Sequence, residues 1–258
     1  MFHAIILGLI QGLTEFLPIS SSGHLILIPE ILGWMPSGLT FDVALNTGTF
    51  LAVLIYFFPT WWRLLVKGVL GGEKKEQKIL GYLVLATIPA ALLGYLLEPV
   101  IDGSLRQPLV AALMLVVFAL VLYWAEKQAA LKREIQDLTW GDALKVGLAQ
   151  ALALIPGVSR SGITMTAGLS LGLKKEEAAE FSFLLLAPIS FGAALLQAPD
   201  VLKATNTSEM ALGALVSFVV GILAIHVLMR FIKQYGFAPY VWYRVVVGIL
   251  ALAFLIFS

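Results

Sequence analysis

The chain has 258 residues, of which 60% are hydrophobic and only 13% are charged. Soluble domains carry about 25% charged residues, so this composition excludes an ordinary water-soluble fold and indicates a protein of the lipid bilayer. The net charge of +1 gives no indication of nucleic-acid binding. Because the chain has no cysteine, disulfides, thiolate metal sites and a cysteine nucleophile are excluded.

Apolar stretches follow one another along the whole chain. The first 17 residues lack a basic region followed by a cleavage site, so we expect them to belong to the folded protein. Six uninterrupted runs are each close to the roughly 20 residues that cross a bilayer. In chain order these predicted spans are 41–58, 79–97, 109–124, 178–197, 210–229 and 239–257.

Two further apolar stretches, 4–32 and 143–172, are interrupted in the middle by Pro18–Gly23 and Pro156–Gly162. Each half has about 10–14 residues, which is too short to span a bilayer. We therefore predict two re-entrant hairpins, each of two short helices joined by a loop. The alternative is a pair of ordinary Pro/Gly kinks in spanning helices, but such kinks rarely carry several serines and an arginine.

The basic residues predict how the chain is oriented. Most of the 17 lysines and arginines lie in segments 59–78, 126–145, 173–177 and 230–238, and the opposite loops hold only Arg106 and Lys203. Cytoplasmic loops are enriched in lysine and arginine, so we expect those four segments in the cytoplasm and both termini outside. The charged segment 125–138 is expected to be a solvated loop or interfacial helix without a catalytic role.

The same topology predicts an internal repeat. The two hairpins enter from opposite sides, and Gln11 with the motif Pro18-x-Ser-x-Ser-Gly23 is echoed by Gln150 with Pro156-x-x-Ser-x-Ser-Gly162. We therefore predict one transmembrane domain built of two inverted repeats, about 1–125 and 140–258, whose loops meet near the membrane midplane.

The composition of the two loops predicts an anion site. Serine hydroxyls, glycine amides and the Arg160 guanidinium are all donors, and helix N-termini after each loop add partial positive charge. A phosphate fits this set, because arginine can bind two phosphate oxygens at once. An ion pair between Arg160 and Glu15 is the alternative role, and it is compatible with function.

Several side chains in the first motif are candidates for catalysis. Gln11 and Glu15 are four residues apart and share one helix face, and Glu15 could bind Mg²⁺ or Ca²⁺ or orient a base. The candidate nucleophiles are Ser21, Ser22 and His24, with direct attack by water left open. The remaining histidines, at 3 and 226, are expected to be structural. The predicted substrate contacts are Gln11, Ser20, Ser22, Ser159, Ser161 and Thr164.

The motifs from Gln11 to His24 and from Pro156 to Thr164 resemble the two signatures of the undecaprenyl pyrophosphate phosphatase family, the bacitracin-resistance phosphatases of bacteria. The resemblance covers essentially the whole chain, including Glu180-Phe-Ser-Phe. It implies an enzyme of the bacterial inner membrane, with an outward-facing site, that recycles the lipid carrier of cell-wall synthesis. The family's first paired position is Glu or Gln; here it is Gln11, so Glu15 is the one carboxylate of the pair.

The resemblance implies that Ser21 or His24 is the nucleophile and that Arg160 binds phosphate. The expected partners are the polyprenyl pyrophosphate substrate, membrane lipids and a second copy of the chain, with no nucleic acid and no organic cofactor. A transporter that flips polyprenyl phosphate lipids is the main alternative, because inverted repeats with broken helices are typical of transporters. A phosphatidic-acid-phosphatase-type enzyme is disfavoured, since no histidine lies between Arg160 and His226.

Overall fold

The computed structural model describes residues 1–35 and 38–257, except for the side chain of Leu202. Within these ranges the fold is all-α, as predicted, and β pairing is limited to an isolated bridge between Arg133 and Leu173. The α-helices are α1 (Phe2–Phe16), α2 (Ser21–Leu32), α3 (Leu39–Tyr56), α4 (Phe58–Arg63), α5 (Lys74–Leu96), α6 (Glu98–Val100), α7 (Pro108–Gln128), α8 (Trp140–Ala151), α9 (Arg160–Ser170), α10 (Lys175–Lys203), α11 (Thr207–Tyr235) and α12 (Ala238–Phe257). Short π-helical segments, Leu64–Leu70 and Ile101–Leu105, continue α4 and α6.

The six predicted spans are confirmed as helices. In the described part of the chain, α3, α5, α7, α10, α11 and α12 are long and apolar enough to cross a membrane by length and composition. Several extend beyond the predicted limits, as α10 does with 29 residues. The extension is expected because a helix continues through its charged ends, where the apolar run used for prediction stops.

The two interrupted stretches each form a pair of short helices. Helices α1 and α2 have 15 and 12 residues, and α8 and α9 have 12 and 11. At 1.5 Å per residue each is at most about 23 Å long, shorter than the roughly 30 Å hydrocarbon core. Non-helical turns, residues 17–20 and 155–159, thus separate the helices of each pair, and the second turn follows a short 3₁₀ helix, Leu152–Leu154. A re-entrant course and inverted repeats are compatible with this arrangement and stay predictions.

Helices from the two halves of the chain pack closely against each other. Helix α1 packs on α11, where a Cβ added at Gly12 would lie 2.8 Å from the Ser217 carbonyl oxygen. Helix α8 packs on α5, where a Cβ added at Gly147 would lie 2.7 Å from the Ala86 carbonyl oxygen. The first helix of each pair, α1 or α8, therefore packs on a long helix from the other half of the chain. This packing holds the two turns close together.

Ion pairs connect helix ends at two opposite ends of the fold. At the basic end, Lys175 contacts Glu126 at 2.7 Å and Lys233 contacts Glu176 at 3.8 Å, which joins the starts and ends of α7, α10 and α11. The N-terminal amine pairs with Glu209 at the other end. Three of the four segments predicted to share a side, 126–145, 173–177 and 230–238, thus lie together. Which of the two sides is cytoplasmic stays a prediction.

The segment 129–139 at the basic end is a loop, not an interfacial α-helix, and contains one short 3₁₀ turn, Ile135–Asp137. Arg133 anchors it by an ion pair with Asp142 at 2.8 Å. Burial alone raises the pKa of Asp142, but hydrogen bonds from Arg133 and Thr139 outweigh burial and hold that pKa below its usual value. The loop is therefore ordered by charge-assisted contacts.

Candidate active site

The two non-helical turns have the same backbone conformation at their last residue. Ser20 has φ 75° and ψ 97°, and Ser159 has φ 74° and ψ 113°. Positive φ costs a residue with a Cβ on the order of 1–3 kcal/mol. Each serine hydroxyl offsets part of this cost by accepting a backbone N–H, from Gly23 at 3.2 Å and from Gly162 at 3.0 Å. The two motifs thus form matching helix N-termini.

Glu15 at the end of α1 connects the two turns. Its Oε1 accepts Arg160 Nη2 at 2.7 Å, and its Oε2 accepts the Ser21 hydroxyl at 2.5 Å and Gln11 Nε2 at 3.1 Å. The Arg160 and Glu15 side chains are only 13% and 8% exposed. A buried carboxylate thus contacts both a hydroxyl and a guanidinium. In this arrangement the carboxylate can activate the hydroxyl as a nucleophile while the guanidinium binds an anionic substrate group.

Arg160 is held from its other side by α10. Its Nη1 donates to the Ser182 carbonyl at 2.7 Å, and the Ser182 hydroxyl oxygen lies 2.7 Å from Thr164 Oγ1. The Thr164 hydroxyl donates to the Arg160 carbonyl at 2.8 Å. These contacts fix the guanidinium in one orientation, so a bound phosphate would meet a preorganised donor.

The serines at alternate positions of each motif face each other. Ser20 and Ser22 have their hydroxyls 3.4 Å apart, and Ser159 and Ser161 have theirs 3.3 Å apart. Ser161 also donates to the Leu17 carbonyl at 3.3 Å, which joins the second turn to the first. The two turns therefore share one polar region between the halves of the protein.

His24 has partners outside the Glu15 cluster. Its Nδ1 lies 2.7 Å from the Ser20 carbonyl and its Nε2 lies 2.8 Å from the Tyr243 hydroxyl. The imidazole also stacks on the Tyr243 ring, with centroids 5.6 Å apart and an angle of 10°. Among the described residues, neither ring nitrogen of His24 is bonded to Glu15 or Ser21.

A chain of polar side chains continues from the cluster along α3. Gln11 Nε2 lies 3.5 Å from Thr49 Oγ1, and Thr49 donates to Asn46. Ser190 of α10 donates to Asn46 Oδ1 at 3.2 Å. The polar surroundings of Glu15 thus extend between α3 and α10.

The cluster around Glu15 contains a single carboxylate, which limits how it could bind a metal ion. In residues 1–35 and 38–257, no group of three or more histidine, aspartate or glutamate side chains is close enough together to hold a metal ion. Glu15 is therefore the available anionic ligand among the site side chains, and a divalent cation there would need oxygens from another source.

Comparisons with known proteins decide the family. The model of the bacitracin resistance protein BacA family matches residues 4–250. The chain belongs to this family. The resemblance inferred from the two motifs is thereby confirmed.

Curated relatives of this BacA-family chain match it along nearly their full length. An undecaprenyl-diphosphatase of Alteromonas mediterranea is 46% identical over 261 residues, covering 98% of this chain and 98% of the relative. An undecaprenyl-diphosphatase of Pelotomaculum thermopropionicum is 44% identical over 249 residues, covering 96% and 94%. One from Desulforudis audaxviator is 44% identical over 248 residues, covering 96% and 95%.

The sequence analysis of this BacA-family member missed Arg244. This residue of α12 is fully buried and donates to the carbonyls of Pro18 at 3.2 Å, Gly157 at 3.0 Å and Val158 at 2.9 Å. It therefore binds both turns at once. The available signal was its place as the one charged residue within the predicted span 239–257, where charge is costly.

The second turn fits only glycine at position 157. Gly157 has φ +93°, and a Cβ added there would collide with the Ala111 carbonyl oxygen of α7. Glycine adopts positive φ without penalty and lets the two backbones touch. The close approach also presents the Gly157 carbonyl to Arg244.

The predicted site residues thus fall into groups. Glu15, Ser21, Gln11 and Arg160 form one bonded cluster, and Thr164 supports Arg160. The other predicted residues line the two turns, where Ser20 and Ser159 cap helices and His24 contacts α12. Their roles in substrate binding and catalysis stay predictions. The sequence analysis gave no role to Tyr243 or Thr49, and named Ser182 only within the Glu180-Phe-Ser-Phe stretch.

Proposed function

We propose that this protein hydrolyses undecaprenyl pyrophosphate to undecaprenyl phosphate and inorganic phosphate, and so recycles the lipid carrier of bacterial cell-wall synthesis. The observation that carries the proposal is the contact of the Ser21 hydroxyl with Glu15 beside Arg160. Near-full-length relatives named undecaprenyl-diphosphatase support the substrate. Membership of the bacitracin resistance protein family supports a role in bacitracin resistance.

Ser21 is the nucleophile in this proposal. Its oxygen attacks the terminal phosphorus while its proton passes to Glu15 Oε2, 2.5 Å away. The bond from phosphorus to the bridging oxygen breaks, and undecaprenyl phosphate leaves with that oxygen. Water then attacks the phosphoserine, and Glu15 returns its proton to the departing Ser21 oxygen. One hydrogen of the water stays on the phosphate, and the other is the proton that hydrolysis releases.

Arg160 neutralises the transferred phosphoryl group. Phosphoryl transfer depends mainly on positioning and on charge stabilisation, which a preorganised guanidinium supplies. Nη1 donates to the Ser182 carbonyl and Nη2 donates one hydrogen to Glu15, so the second N–H of Nη2 is available for a phosphate oxygen.

Charge balance supports a divalent cation in the reaction. The Glu15 and Arg160 charges cancel, so the pyrophosphate charge is balanced only by Arg244, whose guanidinium is engaged with turn carbonyls, and by the partial positive charges of the helix N-termini. Mg²⁺ is often bound by one or two carboxylates together with substrate phosphates, and Ca²⁺ also takes oxygen ligands, so Glu15 fits the protein part of such a site. The ion would supply additional charge neutralisation when bound.

We further propose a location in the bacterial inner membrane with the site facing outward. The basic segments lie together at one end of the fold, and lysine and arginine favour the cytoplasmic side. Large apolar side chains are exposed on the long helices, for example Leu92, Leu120 and Leu223, and fit contact with lipid tails. A homodimer stays a prediction.

Phosphate release in detergent tests the proposed function. Purified protein is incubated with undecaprenyl pyrophosphate, with and without a chelator, and inorganic phosphate is measured. A detergent micelle has no two sides, so a transporter of the intact lipid would release none. Absence of phosphate release in the presence of Mg²⁺ and Ca²⁺ would refute the hydrolase and leave the transporter.

Trapping tests the nucleophile separately. We expect brief incubation with substrate labelled in the terminal phosphate, followed by acid quench, to leave an acid-stable phosphoserine at Ser21. Ser21→Ala should leave no label while Ser22→Ala keeps it. Label on His24, which is acid-labile and is sought under alkaline quench, would move the nucleophile to the imidazole, and label on neither would favour direct attack by water.

A further inference from the structure

The hydrogen bonds of His24 determine which nitrogen carries its proton. Nδ1 lies 2.7 Å from the Ser20 carbonyl oxygen, which can only accept, so Nδ1 carries a hydrogen. In the neutral ring Nε2 is then an acceptor, and its partner at 2.8 Å is the Tyr243 hydroxyl, which donates. The basic nitrogen of His24 is therefore Nε2, and a tyrosine from the other end of the sequence controls it.

Tyr243 is placed by contacts that leave it little freedom. It precedes Arg244, which is fully buried and bonded to carbonyls of both turns. Its ring stacks on His24 at an angle of 10°. His24 is only 4% exposed while Tyr243 is 43% exposed. The Tyr243 side chain is therefore accessible from outside the fold, whereas the imidazole is buried.

His24 and Ser21 lie on one face of α2. They are three residues apart in the helix, and side chains at this spacing have Cβ atoms about 5–6 Å apart. The imidazole thus neighbours the hydroxyl that contacts Glu15. The lone pair of Nε2 points at the Tyr243 hydroxyl, so the ring can exchange a proton through that hydroxyl, whereas attack on phosphorus would require breaking this hydrogen bond.

We propose that Tyr243 is a positioning residue of the reaction that acts through His24. Its hydroxyl holds the imidazole with Nε2 as the proton acceptor. The Tyr243 oxygen takes up the proton released by hydrolysis while its own hydrogen passes to Nε2, and both N–H groups then donate, one to the Ser20 carbonyl and one to the Tyr243 oxygen. The proton leaves when the phenol gives its hydrogen to water and Nε2 returns a proton to the phenol oxygen. This inference rests on the proposed function.

Nitrogen NMR tests the assigned hydrogen bond without any turnover. The chain has three histidines, so a His3→Gln/His226→Gln background leaves His24 as the only imidazole. In ¹⁵N-histidine-labelled protein we expect a protonated Nδ1 and a hydrogen-bonded, unprotonated Nε2. Tyr243→Phe keeps the ring stack and should move only the Nε2 resonance toward that of a free acceptor. An unchanged Nε2 resonance in the folded variant would overturn the assignment.

Steady-state kinetics tests whether the hydrogen bond between Tyr243 and His24 contributes to turnover. We expect Tyr243→Phe to lower kcat about tenfold, the effect of losing one hydrogen bond, with KM for undecaprenyl pyrophosphate nearly unchanged. Tyr240→Phe is the matched control, because it lies one turn earlier in α12 and its hydroxyl has no hydrogen-bond partner in the described structure. A higher KM with unchanged kcat would instead make Tyr243 a substrate contact.

A double-mutant cycle completes the test. If Tyr243 acts through His24, adding Tyr243→Phe to His24→Gln should lower kcat no further. Independent, multiplying losses would overturn the proposal. Failure of the wild-type protein to release phosphate would refute the proposed function instead, while the nitrogen resonances would still decide the Tyr243–His24 bond.

Discussion

Glu15 and Arg160 are 145 residues apart in the chain and form an ion pair of 2.7 Å between the two broken helices. The pair joins the first motif to the second, and through Ser21 it includes a hydroxyl. Both charges are nearly buried, at 8% and 13% exposed. Such a pair is costly unless each charge is well bonded, and here each has further partners.

Removing either charge should abolish turnover. We expect Glu15→Gln and Arg160→Gln each to lower kcat/KM at least about a thousandfold, because each removes charge from the reacting centre. Each single variant also leaves an unpaired buried charge and should lower Tm. The Glu15→Gln/Arg160→Gln double variant should regain part of that Tm, as measured by thermal unfolding in detergent, but no activity. Near-normal turnover in either single variant would remove that residue from the mechanism.

Alanine substitutions at the neighbouring residues Ser21 and Ser22 should have very different effects on kcat. Ser21 contacts Glu15, whereas the described side-chain contact of Ser22 is with Ser20. We expect Ser21→Ala to lower kcat at least about a hundredfold, because nucleophile and base act as a unit. Ser22→Ala should lower kcat about tenfold or less, which is the effect of losing one hydrogen bond. Equal losses in phosphate-release assays would contradict the assignment of Ser21.

Arg244 should be needed for stability as well as activity. It donates to three turn carbonyls, and each buried acceptor left without a partner costs about 1–3 kcal/mol. We expect Arg244→Met to lower Tm strongly and to reduce activity with it. Arg230→Met is the control, since Arg230 is exposed at the end of α11 and should change Tm little. A normal Tm with full activity in Arg244→Met would show that the turns hold without it.

A second carboxylate should strengthen metal binding. Gln11 donates to Glu15 Oε2 at 3.1 Å, so Gln11→Glu would place two carboxylates side by side. A divalent cation relieves their repulsion, because Mg²⁺ and Ca²⁺ prefer carboxylate oxygens. We expect half-maximal activity at about tenfold lower Mg²⁺ than in the wild type, and loss of activity with chelator in both. Unchanged cation dependence would place the ion elsewhere or exclude it.

Single cysteines can test the re-entrant course, because the chain has none of its own. Phe2 and Met35 flank α1 and α2 and are 69% and 89% exposed. If the pair returns to the side it came from, Phe2→Cys and Met35→Cys should react with an impermeant maleimide from the same, outer side of intact cells. Lys75→Cys should react only after permeabilisation. Labelling of Phe2→Cys and Met35→Cys from opposite sides would mean that the pair spans the membrane.

Much of this protein could be predicted from local sequence features. The six long helices follow from apolar runs, and the two breaks follow from proline, glycine and serine inside such runs. The neighbouring positions of Gln11 and Glu15 follow from helix geometry, and their hydrogen bond confirms it. The ion pair of Glu15 with Arg160, which the sequence offered as the alternative role of Arg160, is present in the structure, and phosphate binding by Arg160 stays a prediction.

The contacts that α12 makes with the two turns could not be predicted from local sequence features. Arg244 and Tyr243 lie in a run that is predicted as a simple span, and their partners are 86 to 226 residues away. Local periodicity reports which residues share a helix face, but it does not report which helix packs on which. Only packing could show that Arg244 binds both turns and that His24 faces a tyrosine.

The sequence by itself thus determined the membrane class, the helices, the two polar motifs and the family, because composition and short motifs are local properties of a chain. The tertiary structure decided that Ser21 contacts Glu15, that His24 is bonded on both nitrogens, and that a buried arginine holds the turns in place. These contacts depend on helices distant in sequence whose close packing leaves one arrangement for each buried polar group.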